Sequence, residues 1–124
     1  MEDKKMILII DDDPDIVRSV KTILESEGYE IATAMSGKGG LEMLSQQKPD
    51  LILCDMMMER LNTGIRVAQD IRRQNNTVPI VLMSSIGETT ALNTDIRDLG
   101  FNGVLQKPLR PETLLSTVSG LLNT

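Results

Sequence analysis

The sequence predicts a single α/β domain over residues 1–124, built on a five-stranded parallel sheet with helices on both faces. Five short apolar runs alternate along the chain with segments whose apolar residues recur at helical spacing. Such regular alternation is typical of a doubly wound parallel sheet. The 124 residues are 40% hydrophobic, which is enough for one domain with its own core.

Each predicted strand is an apolar run bounded by turn residues or by a polar side chain. The second strand has the weakest signal, and Pro79 opens the fourth. Continuous apolar runs of this length are typical of parallel strands that are buried on both faces. In chain order the predicted strands are residues 6–10, 30–34, 51–55, 79–83 and 103–106.

The predicted helices are justified by their end signals and by their apolar faces. Asp13 and Pro14 form a typical helix start, with an acidic N-cap and a proline in the first position, and Gly28 indicates the end of that helix. The second helix is predicted over residues 37–47. The third follows a loop at 56–63 and ends at Asn75-Asn76. The fourth is predicted over 88–99, with Leu92, Ile96 and Leu99 inward and Gly100 as cap, and the last begins at Pro111.

Composition excludes several classes of function. The net charge is −5 without any basic run, and only 2% of residues are aromatic, which argues against binding nucleic acid. The chain has no histidine, so catalysis by Ser-His-Asp or Cys-His groups and histidine metal sites are excluded. The single cysteine cannot form an internal disulfide. Because no stretch is long enough for a membrane span or suited to a signal peptide, we expect a cytoplasmic protein.

Four of the five predicted strands end on polar residues of the types that phosphoryl chemistry uses. They are the pair Asp11-Asp12, then Asp55, Ser84 and Lys107. In an open parallel sheet, ligands bind outside the carboxyl ends of the strands, where these side chains would converge. Three acids, a hydroxyl and an ammonium can hold a divalent cation and a phosphoryl group together.

The acids at the first strand end allow two interpretations. Acids at a helix N-terminus complement the helix dipole, which explains Asp13 and Asp15 but not Asp11 and Asp12. Two carboxylates ~4 Å apart repel by roughly 4 kcal/mol at an effective dielectric constant near 20, and a bound Mg²⁺ would relieve that repulsion. On these residues alone, metal binding and helix capping both stay open.

The other three groups also have ordinary interpretations when each is taken alone. Asp55 could be a polar residue that leads from a buried strand into a loop, Ser84 a loop serine, and Lys107 a solvated surface lysine. Their common position at strand ends favours the functional interpretation. Asp55 could then be a nucleophile toward phosphorus.

The chain resembles the receiver domain of bacterial two-component response regulators over nearly all of its length. The resemblance rests on residues 7–13, 49–58 and 79–85 and on Lys107-Pro108. It implies a flavodoxin-like sheet of strand order 2-1-3-4-5, a phosphorelay switch without output domain in this chain, and no enzymatic turnover beyond self-dephosphorylation. It also implies a sensor histidine kinase or phosphotransfer protein as phosphodonor, an unknown downstream protein partner, possible homodimerisation, and no nucleic acid or membrane partner.

The resemblance also implies roles for individual residues. Asp55 would be the phosphoacceptor, and Mg²⁺ would be bound by Asp11, Asp12, Asp55 and the backbone carbonyl of Met57. Ser84 would form a hydrogen bond with the phosphoryl group and Lys107 would pair with it, across a cis bond to Pro108.

This sequence departs from the family pattern at several positions. Val104 stands where the family usually has an aromatic switch residue, and Glu59 where it commonly has proline. Gly64 is one residue further from Asp55 than is typical. Met57 and Ile86 cannot position an attacking water by hydrogen bonding, so we predict a longer phosphoryl lifetime than in Met57→Asn or Ile86→Glu variants.

Two other classes of protein share parts of this pattern. A small Mg²⁺-dependent aspartyl-phosphate phosphatase uses similar strand-end groups, but Asp15 stands where its opening motif has Thr or Val, and no cap domain is present. A flavodoxin-like cofactor binder would need a phosphate-binding loop after the first strand and aromatic residues around a flavin, and this chain lacks that loop and has few aromatic residues.

Overall fold

The computed structural model describes residues 4–56, 63–85 and 95–123, and it contains the predicted five-stranded parallel sheet. The strand order is β2-β1-β3-β4-β5, as the family resemblance implies. The strands are β1 (Met6–Ile10), β2 (Glu30–Ala34), β3 (Leu51–Asp55), β4 (Ile80–Ser84) and β5 (Gly103–Gln106).

Four α-helices and one 3₁₀ helix are described around the sheet. They are α1 (Pro14–Ser26), α2 (Gly37–Gln46), α3 (Thr63–Arg73), the 3₁₀ helix Ile96–Leu99 and α4 (Pro111–Leu122). The α1 start is the predicted one, with the Asp13 side chain accepting hydrogen bonds from the first-turn amides and proline at the first position.

Helices cover both faces of the sheet because successive strand residues point to opposite sides. Ile7 and Ile9 of β1 pack into the core layer formed with α1 and α4. Leu8 and Ile10 pack into the opposite layer, which contains buried residues of α3 and partly buried residues of α2. Burial on both faces explains why the strands appear in sequence as unbroken apolar runs.

Several element bounds differ from the sequence expectations. Strand β4 runs over Ile80–Ser84, one residue later than predicted, and α2 and α3 end one and two residues earlier than predicted. Helix α3 already begins at Thr63, where the sequence predicted the last loop residue. Of the helix predicted over 88–99, residues 88–94 lie outside the described ranges, and the described end is a 3₁₀ helix whose Ile96 and Leu99 pack on the core as predicted. Gly100 ends it with φ 102°, a left-handed conformation that glycine adopts without steric cost.

At the amino edge of the sheet, Arg72 of α3 connects three chain segments. Its Nε and Nη2 donate to the carbonyl oxygen of Gly100 at 3.0 and 2.7 Å. Its Nη1 donates to the carbonyl oxygens of Asn76 and Val78 at 2.9 and 2.8 Å. Its Nη2 also donates to Asn102 Oδ1 at 2.9 Å. One guanidinium therefore joins the end of α3 to the segments that lead into β4 and β5.

Candidate functional site

The strand register brings two acids to the same level at the carboxyl edge of the sheet. Ile10 of β1 pairs with Cys54 of β3, so the next residues, Asp11 and Asp55, leave the two strands side by side. Both carboxylates are buried, with Asp11 fully inaccessible and Asp55 5% exposed. Buried carboxylates need partners or a bound cation, because burial penalises the charged form.

Asp12 completes a group of three acids. One carboxylate oxygen from each of Asp11, Asp12 and Asp55 can be chosen so that all three lie within 4.8 Å of one another. Asp12 is exposed, so the group is open to solvent on that side. Oxygen ligands from carboxylates are those that Mg²⁺ prefers, and a hard cation that keeps several of its waters fits an open site of this kind. The donor set therefore fits Mg²⁺.

Lys107 joins two of these acids from the other side. Its Nζ donates to Asp55 Oδ1 at 2.9 Å and to Asp11 Oδ2 at 3.1 Å. The lysine follows β5, and its backbone N–H donates to the carbonyl oxygen of Ser84 at 2.7 Å, which extends the pairing with β4. Its peptide bond to Pro108 is cis, as the resemblance implies.

The charges in this site do not balance. The group has three carboxylates and one ammonium, which contacts two of them, so burial and repulsion outweigh the attraction of the lysine. Burial raises the pKa of Asp55 to about 6; the hydrogen bond from Lys107 opposes that change, and the charges of Asp11 and Asp12 add to it. For Lys107, burial lowers the pKa, but the bonds and charges of Asp55 and Asp11 together raise it above its usual value. The site therefore carries more negative than positive charge, and a further bound cation would stabilise it.

The acid run at residues 11–15 serves two purposes. Asp11 and Asp12 belong to the strand-end group, as above. Asp13 caps α1, accepting from the N–H groups of Asp15 at 2.9 Å and Ile16 at 3.4 Å. The Asp13 amide in turn donates to Asp11 Oδ1 at 2.9 Å, so the cap also fixes the orientation of the Asp11 carboxylate. The capping interpretation is therefore confirmed for Asp13, and metal binding by Asp11 and Asp12 stays a prediction.

The remaining predicted site residues are placed as follows. Ser84 is the last residue of β4 and is buried. It lies at the carboxyl edge, one residue beyond Met83, which pairs with Asp55. Val104 is 43% exposed on β5, so the position of the family's aromatic switch is an accessible aliphatic side chain here. Met57, Glu59 and Ile86 lie outside the described residues.

The sequence did not predict the roles that Gly64 and Asp13 have in positioning site residues. Gly64 packs against the backbone of Asp55 and Met56. The Asp13 amide orients Asp11. The spacing from Asp55 to Gly64 was a signal for the first, but nothing in the sequence shows which backbone atoms a glycine approaches.

The comparisons with known proteins identify the family. The family model described as "Response regulator receiver domain" matches residues 7–119. The chain belongs to the response regulator receiver domain family. Its strand order is the one that the sequence resemblance to a receiver domain implies.

Named relatives agree with this membership. The "DNA-binding dual master transcriptional regulator RpaA" of Synechocystis sp. is 36% identical over 120 residues, covering 94% of this chain and 48% of that protein. The "Alkaline phosphatase synthesis transcriptional regulatory protein PhoP" of Bacillus subtilis is 32% identical over 118 residues, covering 95% and 48%. This receiver chain therefore spans about half the length of these relatives.

Solved structures show the same fold. The chemotaxis response regulator CheY4 of Vibrio cholerae aligns with a TM-score of 0.86 at 29% identity, covering 97% of this chain and 100% of that one. The receiver domain of the Francisella response regulator 1452 aligns with a TM-score of 0.85 at 29% identity, covering 97% and 98%.

Family membership fixes the general chemistry. Receiver domains are phosphoacceptor switches of two-component systems, generally not enzymes, and they bind Mg²⁺ at an acidic aspartate group. Here Asp11, Asp12 and Asp55 form such a group. Among the described residues, no helix has the length and hydropathy needed to cross a bilayer.

Proposed function

We propose that this receiver domain accepts a phosphoryl group on Asp55 from the phosphohistidine of a sensor histidine kinase or a phosphotransfer protein. Residues 1–124 act as one switching unit in this proposal, and the consequence of phosphorylation is a changed protein-interaction surface. The observation that carries the proposal is the position of Lys107 Nζ, 2.9 Å from Asp55 Oδ1 inside a group of three carboxylates.

Asp55 has the properties that a phosphoacceptor needs. With a pKa of about 6 its carboxylate is ionised at neutral pH, and its solvation is too poor to stabilise that charge fully. A carboxylate oxygen attacks phosphorus, a new O–P bond forms, and the P–N bond to the donor histidine breaks. The electron pair of that bond returns to the imidazole nitrogen of the donor.

Mg²⁺ in this proposal is held by Asp11, Asp12, Asp55 and the main-chain carbonyl of Met57. When bound, it supplies positive charge that neutralises the phosphoryl oxygens. Lys107 supplies the second cation, since its ammonium already lies between Asp11 and Asp55. Phosphoryl transfer depends mainly on positioning and on such charge stabilisation.

The switch follows from a local change in charge. A phosphoryl group adds about −1.5 to −2 charge at neutral pH. Ser84 is the last residue of β4, and Lys107 follows the last residue of β5. The hydroxyl of Ser84 and the ammonium of Lys107 are both drawn toward the new oxygens. The segments after these strands then favour a second arrangement, and partners that bind this arrangement more tightly read the signal.

The test is phosphorylation by acetyl phosphate with Mg²⁺, followed by the intact mass of the protein. We expect one phosphoryl group on the wild type, none on Asp55→Asn, and none on the wild type when EDTA removes the metal. Phosphorylation of Asp55→Asn at the wild-type rate would contradict the proposal. Steady hydrolysis of an aryl phosphate over many turnovers would favour the phosphatase alternative instead.

A further inference from the structure

Gly64, in the first turn of α3, lies unusually close to the phosphoacceptor. A Cβ atom built on Gly64 would overlap the carbonyl oxygen of Asp55, and it would lie 2.9 Å from the Cα atom of Met56 and 3.0 Å from the carbonyl carbon of Asp55. All three contacts are with backbone atoms, which cannot turn aside as a flexible side chain can. Gly64 is required here for space.

A hydrogen bond fixes the same contact. The Gly64 N–H donates to the carbonyl oxygen of Met56 at 2.9 Å, and the Met56 N–H donates to the carbonyl oxygen of Met83 at 2.9 Å. Met56, the residue that follows Asp55, is therefore held from two directions, with its N–H bonded to β4 and its carbonyl oxygen bonded to α3. These bonds leave the backbone of Asp55 little freedom to move.

We infer that Gly64 is a positioning residue that sets the place of the Asp55 carboxylate relative to Lys107 and the other two acids. This inference rests on the proposed phosphoacceptor role of Asp55. Side chains at residue 64 would push the Asp55–Met56 backbone away from α3. The carboxylate would then move relative to the Asp11 and Asp12 oxygens, which lie within 4.8 Å of it. Misplacing a reacting group by ~1 Å can cost about 100-fold in rate.

The first test compares Gly64→Ala with two control variants. Gly28→Ala strains a left-handed backbone (φ 90°) with nothing within 4 Å, so it lowers stability without touching the site. Gly120→Ala, in α4, also meets nothing within 4 Å. With acetyl phosphate and saturating Mg²⁺, we expect phosphorylation of Gly64→Ala to be about 10- to 100-fold slower than wild type, and both controls to keep the wild-type rate.

The second measurement uses the wild type alone and covers the case in which Gly64→Ala does not fold. In amide NMR, we expect the Gly64 N–H to be protected from hydrogen exchange and its resonance to shift when Mg²⁺ is added. The amides of Gly28 and Gly120 should not shift. A Gly64 amide that is neither protected nor shifted would overturn the inference.

The outcomes separate this inference from the proposed function. A wild type that gains no phosphoryl group contradicts the proposed function. A wild type that is phosphorylated normally, beside a Gly64→Ala variant of equal rate or a Gly28→Ala variant that is equally slow, overturns only the positioning role.

Discussion

Each edge of the sheet holds a cation in place near strand ends, but the two cations have different partners. At the amino edge, Arg72 uses its guanidinium donors on three carbonyl oxygens and one side-chain amide oxygen, all neutral. At the carboxyl edge, Lys107 meets two of three neighbouring carboxylates. The first arrangement is complete and stabilises the fold. The second keeps an excess of negative charge, so it gains stability when further positive charge binds.

The largest effect expected from this comparison is a loss of stability in Arg72→Ala. That variant would leave the carbonyl oxygens of Gly100, Asn76 and Val78 without their donor, and we expect a decrease of about 2 to 4 kcal/mol in the free energy of unfolding. Burial lowers the pKa of Arg72 from its usual value, but a guanidinium stays protonated in proteins. Denaturation by urea measures the change.

The neighbouring Arg73→Ala is the matched control. Arg73 forms an exposed ion pair with Asp70, so its removal should cost no more than about 0.5 kcal/mol. If both variants lost the same free energy of unfolding, the bonds of Arg72 at the amino edge would not be a special source of stability.

The second prediction is that Asp55→Asn is more stable than the wild type in EDTA at pH 8, by about 1 to 3 kcal/mol. The pKa of Asp55 is raised to about 6, so the folded protein keeps this proton between pH 4 and 6 while the unfolded chain has lost it. Wild-type stability contributed by this group therefore falls as the pH rises through that window. The advantage of Asp55→Asn should shrink as the pH is lowered from 8 toward 4.

Urea denaturation at several pH values provides the measurement, with Asp98→Asn as control. Asp98 is an exposed acid of the 3₁₀ helix, so its neutralisation should change stability little. An Asp55→Asn variant that is less stable than the wild type at pH 8 would mean that Lys107 fully compensates the carboxylate.

The third and smallest effect concerns Mg²⁺ affinity. Lys107→Met removes a positive charge that contacts two of the three acids, and we expect the Kd for Mg²⁺ to decrease about tenfold because less repulsion opposes the metal. Lys21→Met, on the exposed surface of α1, makes the same change in net charge away from the acids. Calorimetric titration compares the two variants, and equal affinities would show that Lys107 does not oppose metal binding.

Most of the fold could be predicted from the sequence because local patterns determine it here. Strands buried on both faces must be apolar throughout, and the run at Met6–Ile10 therefore shows its bounds directly. Pro14 after Asp13 fixes the start of α1 in the same local way. The grouping of Asp11, Asp12 and Asp55 also follows from topology, because parallel strands end at one edge.

Other features depend on distances that no local pattern encodes. The Gly64 contact requires that α3 return to within touching distance of the Asp55 backbone, which depends on how the helix packs across the sheet. Arg72 resembles any lysine or arginine near a helix end, and only the fold brings Gly100, 28 residues further along the chain, to its guanidinium. The different roles of Asp11 and Asp13 could likewise not be predicted, because the hydrogen bond between them is visible only in the structure.

The hydrogen bond between Met56 and Gly64 also has a consequence for the segment that separates them. It closes the base of the segment at residues 57–63, so the two ends of that segment are fixed to each other by one donor and one acceptor. Because this bond uses only backbone atoms, it sets no requirement on the side chains between its two ends. By comparison with the family pattern, this chain has one more residue between Asp55 and Gly64, and a backbone hydrogen bond nevertheless joins Met56 to Gly64.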